Sequence, residues 1–278
     1  MAPEIGKPVF STPPETTTTT ADTTRESSPS QALPTVWSPS PSLYHHSLIT
    51  DDFDALKFHA AAALQLQLRN PTPNADVDVK PTHPQLALPS STHLIASPYN
   101  SPPHLLDLTT LDTANRLLAQ ALTILKPVRD DYATAAYEDS LNWPAVFSFL
   151  SDLVAAEGGG FEWTKTHFYV VVFRSRLQDG IDNQRLHDLD AYSHQEATVS
   201  GGLLKYWFGS KDTERRNLAT CLWRSRQDAR AGGTGPWHKK ARGAAREMYE
   251  QITFTTLKLE VGNGVKSWGF ADWTEEDE

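Results

Sequence analysis

Apolar positions are spread unevenly along the chain. Residues 1–50 run through STPPETTTTTADTTRESSPS with too few apolar side chains to offset the entropy of ordering them, and a disordered leader is expected there. Residues 51–69 hold good helix formers behind an acidic first turn, and Asn70-Pro71 stops them, so a helix is expected. From Pro71 to Pro103 prolines recur every few positions and THLIAS is the only apolar run, which predicts an irregular strap lying over another layer. Leu117, Leu118, Ala121, Leu122 and Leu125 then follow helical spacing behind a cap at Asp112 or Thr113, until Pro127 ends the run. A second helix is predicted from the cap Asn142, with Pro144 in its first turn, to the glycines at 158–160.

Beyond residue 161 the pattern sharpens. THFYVVVFRSRL is β-branched and aromatic, a strand by composition. NQRLHDLDAYSHQEATVS reads as a helix closed by Gly201-Gly202, followed by the strands LLKYWFG and NLATCLWRS, the helix PWHKKARGAAREMYEQ and the strand ITFTTLKLEV. The order β-α-β-β-α-β is the ferredoxin-like split unit, so the fold class is α+β. The expected organisation is a leader 1–50, a helical and irregular extension 51–160 packing on the core, a ferredoxin-like domain 161–270 and an acidic tail 271–278. Two helices cover one sheet face, and the other face needs a partner sheet, a strap or a ligand.

Composition narrows the partners. The formal net charge of -9 and the pI near 5.6 argue against a nucleic-acid binder, although Arg and Lys make residues 165–250 locally basic and leave room for a small organic or anionic ligand. Cys221 is the single cysteine, so no intrachain disulfide forms and a reducing compartment is the natural reading. MAPEIGKPVF lacks the features of a signal or transit peptide and no apolar run is long enough to span a bilayer, which together point to cytoplasm or nucleus and to no membrane partner.

Several constellations could carry chemistry. His187, Asp190 and His194 share one stripe of a helix and are the right types for metal ligation, but i and i+7 imidazoles sit about 10 Å apart along the axis, too far for one ion, so no metal is assigned. Alternation along the strands sets Ala219, Cys221 and Trp223 against Leu218, Thr220, Leu222 and Arg224, and Leu204, Tyr206 and Phe208 against Lys205 and Trp207. A face mixing aromatics with cations suits a ligand lining or a sheet-to-sheet contact with snorkelling side chains. Cys221 has no base beside it in sequence and reads as a packing residue. GGTGPWHKKA matches neither a Walker loop nor a dinucleotide fingerprint; it reads as a helix start, with Trp237, Ala241, Ala244, Met248 and Ile252 as the buried stripe and His238 off it near the domain mouth.

At FYVVVFRSRL, SGGLLKYWFG and NLATCLWRSRQDARAGGTGPWHKKA the chain resembles a fungal protein family of unknown function, from about ASPYNSPPHLLDL to SWGFADW. More distantly it resembles the dimeric α+β barrel superfamily, which includes antibiotic-biosynthesis-type monooxygenases and haem-degrading enzymes. In haem-binding relatives a helix histidine ligates iron, a role open here only to His238 or His194, with no motif that assigns it. The long N-terminal extension departs from that superfamily and could occupy the surface a second protomer covers, so both monomer and homodimer stay open. The resemblance implies a small-molecule-binding enzyme of monooxygenase-like type, lined by Tyr169, Tyr206, Trp207, Trp223 and Arg224 with His238 as acid or base and the cofactor unknown. The alternative is a non-catalytic interaction module that uses the sheet face for a partner chain or self-association.

Overall fold

A computed structural model describes residues 92–157 and 160–277. The predicted leader, the predicted helix at 51–69 and most of the proline-rich strap lie outside the described residues.

Two short strands, β1 (His93–Leu94) and β2 (Leu106–Asp107), pair with each other ahead of three helices, α1 (Thr113–Ala121), the single turn α2 (Tyr137–Ser140) and α3 (Trp143–Ala156). Asp112 caps α1 by accepting from the Asn115 amide at 2.8 Å, as its position before the helical stripe predicts. Asn142 stands at the start of α3 but does not cap it. Its amide oxygen accepts from Lys126 N and its amide nitrogen donates to Ile124 O, so it staples the α1 exit to the α3 entrance.

The main sheet contains β3 (Thr166–Leu177), β4 (Leu203–Phe208), β5 (Arg216–Trp223), β6 (Tyr249–Val261) and β7 (Trp268–Asp272), antiparallel throughout in the order β4-β5-β3-β6-β7. Helix α4 (Asn183–Ser200) links β3 to β4, while α5 (Arg226–Gly232) and α6 (Pro236–Met248) link β5 to β6. The first four strands thus have the connectivity and order of a ferredoxin-like split unit. Three elements differ from the sequence reading. RQDARA, which the sequence pattern assigns to no element, forms α5 because Ser225 caps it through the Asp228 amide. β6 begins at Tyr249 directly after α6, which moves Ile252 from the helix stripe into the strand. WGFAD adds β7, held by aromatic stacking of Trp268 on Phe147 at 4.7 Å.

Each sheet face is covered by a different layer. Phe168, Val170, Val172, Leu218, Leu222 and Leu259 face α1 and α3 and form with them the largest core cluster, nearly all of it inaccessible to water. Arg174 anchors this layer by donating to the carbonyls of Ala133 and Ala135, and Tyr137 shares a buried 2.8 Å hydrogen bond with Thr220. The opposite face carries Tyr169, Leu203, Tyr206 and Trp223 under α4. Helices α4 and α6 pack on each other through Leu189, Ala244 and Met248, with Tyr192 stacked on Trp237 at 4.3 Å. Of the predicted helix stripe, Trp237, Ala241, Ala244 and Met248 do lie in this seam.

Candidate functional site

Helix α4 begins where Asp182 accepts from the Arg185 amide and ends at Gly201 and Gly202, both in the left-handed region at φ 86 and 76. A side chain at Gly202 would collide with Asp228, so glycine is required there for space as well as for conformation. Between these ends, Asp190, Ser193, His194 and Ala197 turn one face of α4 inward. The segment at 95–105 crosses this face. Tyr206 N donates to Ala96 O at 2.9 Å, which lays the segment along the outer edge of β4 and carries Tyr99 and His104 onto α4.

The Asp190 carboxylate accepts two phenol hydrogen bonds, from Tyr99 Oη to Oδ2 at 2.5 Å and from Tyr206 Oη to Oδ1 at 2.6 Å. One tyrosine comes from the crossing segment and the other from β4, so three separate elements meet at one carboxylate. Beside it, His104 Nδ1 lies 2.8 Å from His194 Nδ1, and His104 Nε2 lies 3.1 Å from Gln195 Nε2. Tyr99 stacks on His104 at 4.6 Å and leans on His187 at 5.7 Å.

Burial governs the protonation states. It pushes the Asp190 carboxyl above the ordinary aspartate range, and the two phenol bonds, which favour the anion, oppose it. Burial and then the Asp190 charge raise Tyr99 and Tyr206, so both stay protonated and donate. His194 is pushed down to about 3, first by burial and then by His104 and His238, and His104 is lowered by burial and then His187. The two facing imidazoles are therefore neutral, and one N–H between them satisfies both inner nitrogens. Burial and then Asp190 raise the Cys221 thiol, which holds it as an unreactive thiol.

The helices do not seal this face. Val171 and Cys221 are register partners on the two central strands, both turned toward α4; each is half-buried as a residue, while the Cys221 thiol itself lies deep among protein atoms. Asp190 is likewise set among protein atoms without being fully closed off. Towards the far end, Phe173 meets Phe254, which is 60 % exposed. At the other end Trp273 stands edge-on to Tyr169 at 4.8 Å. This face thus joins an apolar and aromatic cluster to one strongly polar cluster, the mix of side chains that lines small-molecule sites.

Of the six side chains singled out in the sequence, Tyr169, Tyr206 and Trp223 share this face in one cluster. Trp207 and Arg224 do not join them. Trp207 pairs with Thr220, turns to the α1/α3 side and meets Tyr132 edge-on at 5.7 Å. Arg224 follows the end of β5 and is spent on a two-pronged ion pair with Asp228 at 2.8 and 2.9 Å. Strand alternation opposes Trp207 to Tyr206 and Arg224 to Trp223, so the set cannot line one pocket. Lys205, the cation on the Trp207 side, is buried and its ammonium is pushed down to about 7 by that burial. His238 sits at the first turn of α6 with Nδ1 3.0 Å from Glu196, whose carboxylate also caps the helix through the Trp237 and His238 amides. The expected stripe of His187, Asp190 and His194 is present, but its members go to different partners. Among the described residues no three His, Cys, Asp or Glu side chains converge as a metal site. Sequence reasoning did not single out Tyr99, His104 or Ser193. A separate groove of about 540 Å³ on the outer side of α4 and α6, lined by residues such as Asp188, Tyr192, Lys240 and Glu247, involves none of the Asp190 cluster.

These features define an α+β protein with a ferredoxin-like sheet and a polar cluster between sheet and helix. The chain belongs to the PB2B2.08-like family, whose model matches residues 95–272. It is 34 % identical over 183 residues to the UPF0643 protein PB2B2.08 of Schizosaccharomyces pombe, covering 63 % of this chain and 82 % of that protein. Among solved structures it is similar in fold to SnoaB, a cofactor-independent oxygenase from Streptomyces nogalater, at 12 % identity over 32 % of this chain and 89 % of that one, with a TM-score of 0.28. It is also similar to a dimeric ferredoxin-like protein of unknown function from Thermobifida fusca, at 12 % identity over 34 % and 92 % of the two chains, with a TM-score of 0.27. No helix among the described residues is long and apolar enough to cross a membrane.

Proposed function

We propose that this chain is a small-molecule-binding enzyme of monooxygenase-like type, with its substrate in the cleft between sheet and helix. The domain spans residues 161–270, and the segment before it contributes Tyr99. The observation that carries the reading is the Asp190 carboxylate, held by two phenols beside the buried aromatic cluster of Tyr169, Tyr206 and Trp223. A substrate hydroxyl placed against Tyr206 gives its proton to the Tyr206 oxygen while the Tyr206 proton passes to Asp190 Oδ1. The electron pair stays on the substrate oxygen, and Tyr206 then donates to the anion. A raised carboxyl is the better proton acceptor for this step, because its basicity lies closer to that of a phenol or enol. Cys221 and His238 take no part in this scheme.

Hydroxynaphthalenes test it, since their neutral and anionic forms differ in absorption and emission. The native protein is expected to bind such a compound saturably and to show its anion at a pH where the free compound is neutral. Asp190→Asn and Tyr206→Phe should bind it without that anion. Absence of saturable binding by the native protein, or an undiminished anion signal in Asp190→Asn, overturns the reading.

A further inference from the structure

Strand β6 is 13 residues long, but β7 pairs only with its part from Leu257 to Val261. Before that, β6 pairs with β3 on one side alone. Trp273 N donates to Thr256 O at 3.1 Å, the last bond on the β7 side among the described residues. Backbone groups alternate sides along a strand, so the N–H and C=O of Ile252 and Phe254 point the same way as Thr256 O, out of the sheet edge. No backbone bond among the described residues meets them there. The stretch is also bare above and below, since every residue from Glu250 to Thr255 except Ile252 is exposed, Phe254 to 60 %.

Sheet proteins guard such edges with charges, prolines or bulges. Residues 251–256, QITFTT, hold no charge, proline or glycine, and five of the six are β-branched or aromatic strand formers. The register shift between β3 and β6 falls at Arg176 and Leu177, beyond the end of this run. A free edge of this make-up is a template for another strand. Ile252 and Phe254 share one face, where Phe254 meets Phe173 edge-on at 5.1 Å, so an added strand finds an apolar strip beside its backbone partners.

Charge sets the direction of the occupant. At one end the Glu250 carboxylate is matched by Arg176 and Arg215, at 3.3 and 3.1 Å. At the other end the Lys258 ammonium is taken by Asp277 at 2.6 Å, and Asp272, Glu275 and Glu276 have no ion-pair partner among the described residues. We propose that the Gln251–Thr256 edge of β6 is a docking site for an extended, uncharged segment of another protein, which pairs antiparallel and carries basic residues at its N-terminal end. The main sheet is antiparallel throughout, and the open edge continues the line of β7. A strand added in the β7 direction therefore begins beside the unmatched carboxylates.

The test titrates the full-length protein into a fluorescein-labelled peptide, Lys-Arg-Thr-Val-Thr-Val-Thr, followed by anisotropy. Binding should be saturable and about tenfold tighter than for the reversed peptide, whose basic pair comes last. N-methylation of the valines, whose N–H groups face β6 when they lie opposite Ile252 and Phe254, should weaken binding about tenfold or more, while N-methylation of the threonines should change it by less than about twofold. These peptides leave the protein untouched, so the result does not depend on how a variant folds. Phe254→Pro removes an edge N–H that β3 does not use and should weaken binding about tenfold. Replacing both Glu275→Lys and Glu276→Lys should weaken it as well and flatten its dependence on salt. Absence of saturable binding, equal affinity for the reversed peptide, equal losses from the two N-methylated peptides, or binding kept by Phe254→Pro would overturn the proposal. So would a native dimer that Phe254→Pro dissociates in sedimentation, because the edge would then belong to a second copy of this chain.

Discussion

Acid should weaken this fold through His194. Burial holds the imidazole at about 3 in the folded chain, against 6.5 for an ordinary histidine. Between those values the unfolded chain binds a proton that the folded chain refuses, so stability falls as pH drops below about 6.5 and the loss continues until pH approaches 3. One proton of difference is worth about 1.4 kcal/mol per pH unit, which gives up to about 2 kcal/mol between pH 6.5 and 5 from His194 alone. His104, lowered in the same direction, adds to it. Asp190 acts oppositely, because its raised carboxyl takes a proton in the folded state before the unfolded one, and it offsets part of the slope above the ordinary aspartate range. A difference measurement separates the two. Urea unfolding followed by tryptophan fluorescence from pH 8 to 5, on the native protein and on His194→Gln, should show a shallower pH dependence in the variant by about one proton. Parallel curves would refute the buried neutral histidine pair, as would a native protein that becomes more stable on acidification.

Other consequences follow from packing. A methyl group on Gly232 would meet the Trp223 ring at 2.4 Å, so Gly232→Ala should cost about 1–3 kcal/mol, read as a lower urea midpoint with an unchanged slope. Thr220→Val leaves the Tyr137 hydroxyl buried without its 2.8 Å partner and should cost about 1–3 kcal/mol, whereas pairing it with Tyr137→Phe should recover most of the loss. Cys221 should resist alkylation at pH 8 in the folded chain and react fully in urea, since burial keeps it a thiol; rapid labelling of the native protein would contradict this.

The sheet was legible because its strands advertise themselves twice, by β-branched and aromatic composition and by the breaks between them. THFYVVVFRSRL and NQRLHDLDAYSHQEATVS match β3 and α4 residue for residue. WGFAD is too short and glycine-broken to stand out, and it becomes a strand only because Trp268 and Phe270 find the aromatic side chains of α3. The candidate site was half visible. Helical spacing put His187, Asp190 and His194 on one stripe, but not which neighbours would meet them. Tyr99 and His104 are joined to α4 across about ninety residues, inside a segment whose prolines signal only irregular backbone. Trp207 and Arg224 drew notice for their chemistry, while the two-residue period of their own strands sent them elsewhere.

The layer of α1 and α3 has one more implication. It closes from within a single chain a sheet face that the topology leaves open, and the segment running past Ala96 occupies the β4 edge. The contacts that hide these surfaces are thus intramolecular, and their strength does not vary with protein concentration. A second copy pairing through that same face would have to displace α1 and α3 and expose Phe149, Leu150 and Trp143 to water, so dilution should leave the unfolding midpoint of this core where it stands.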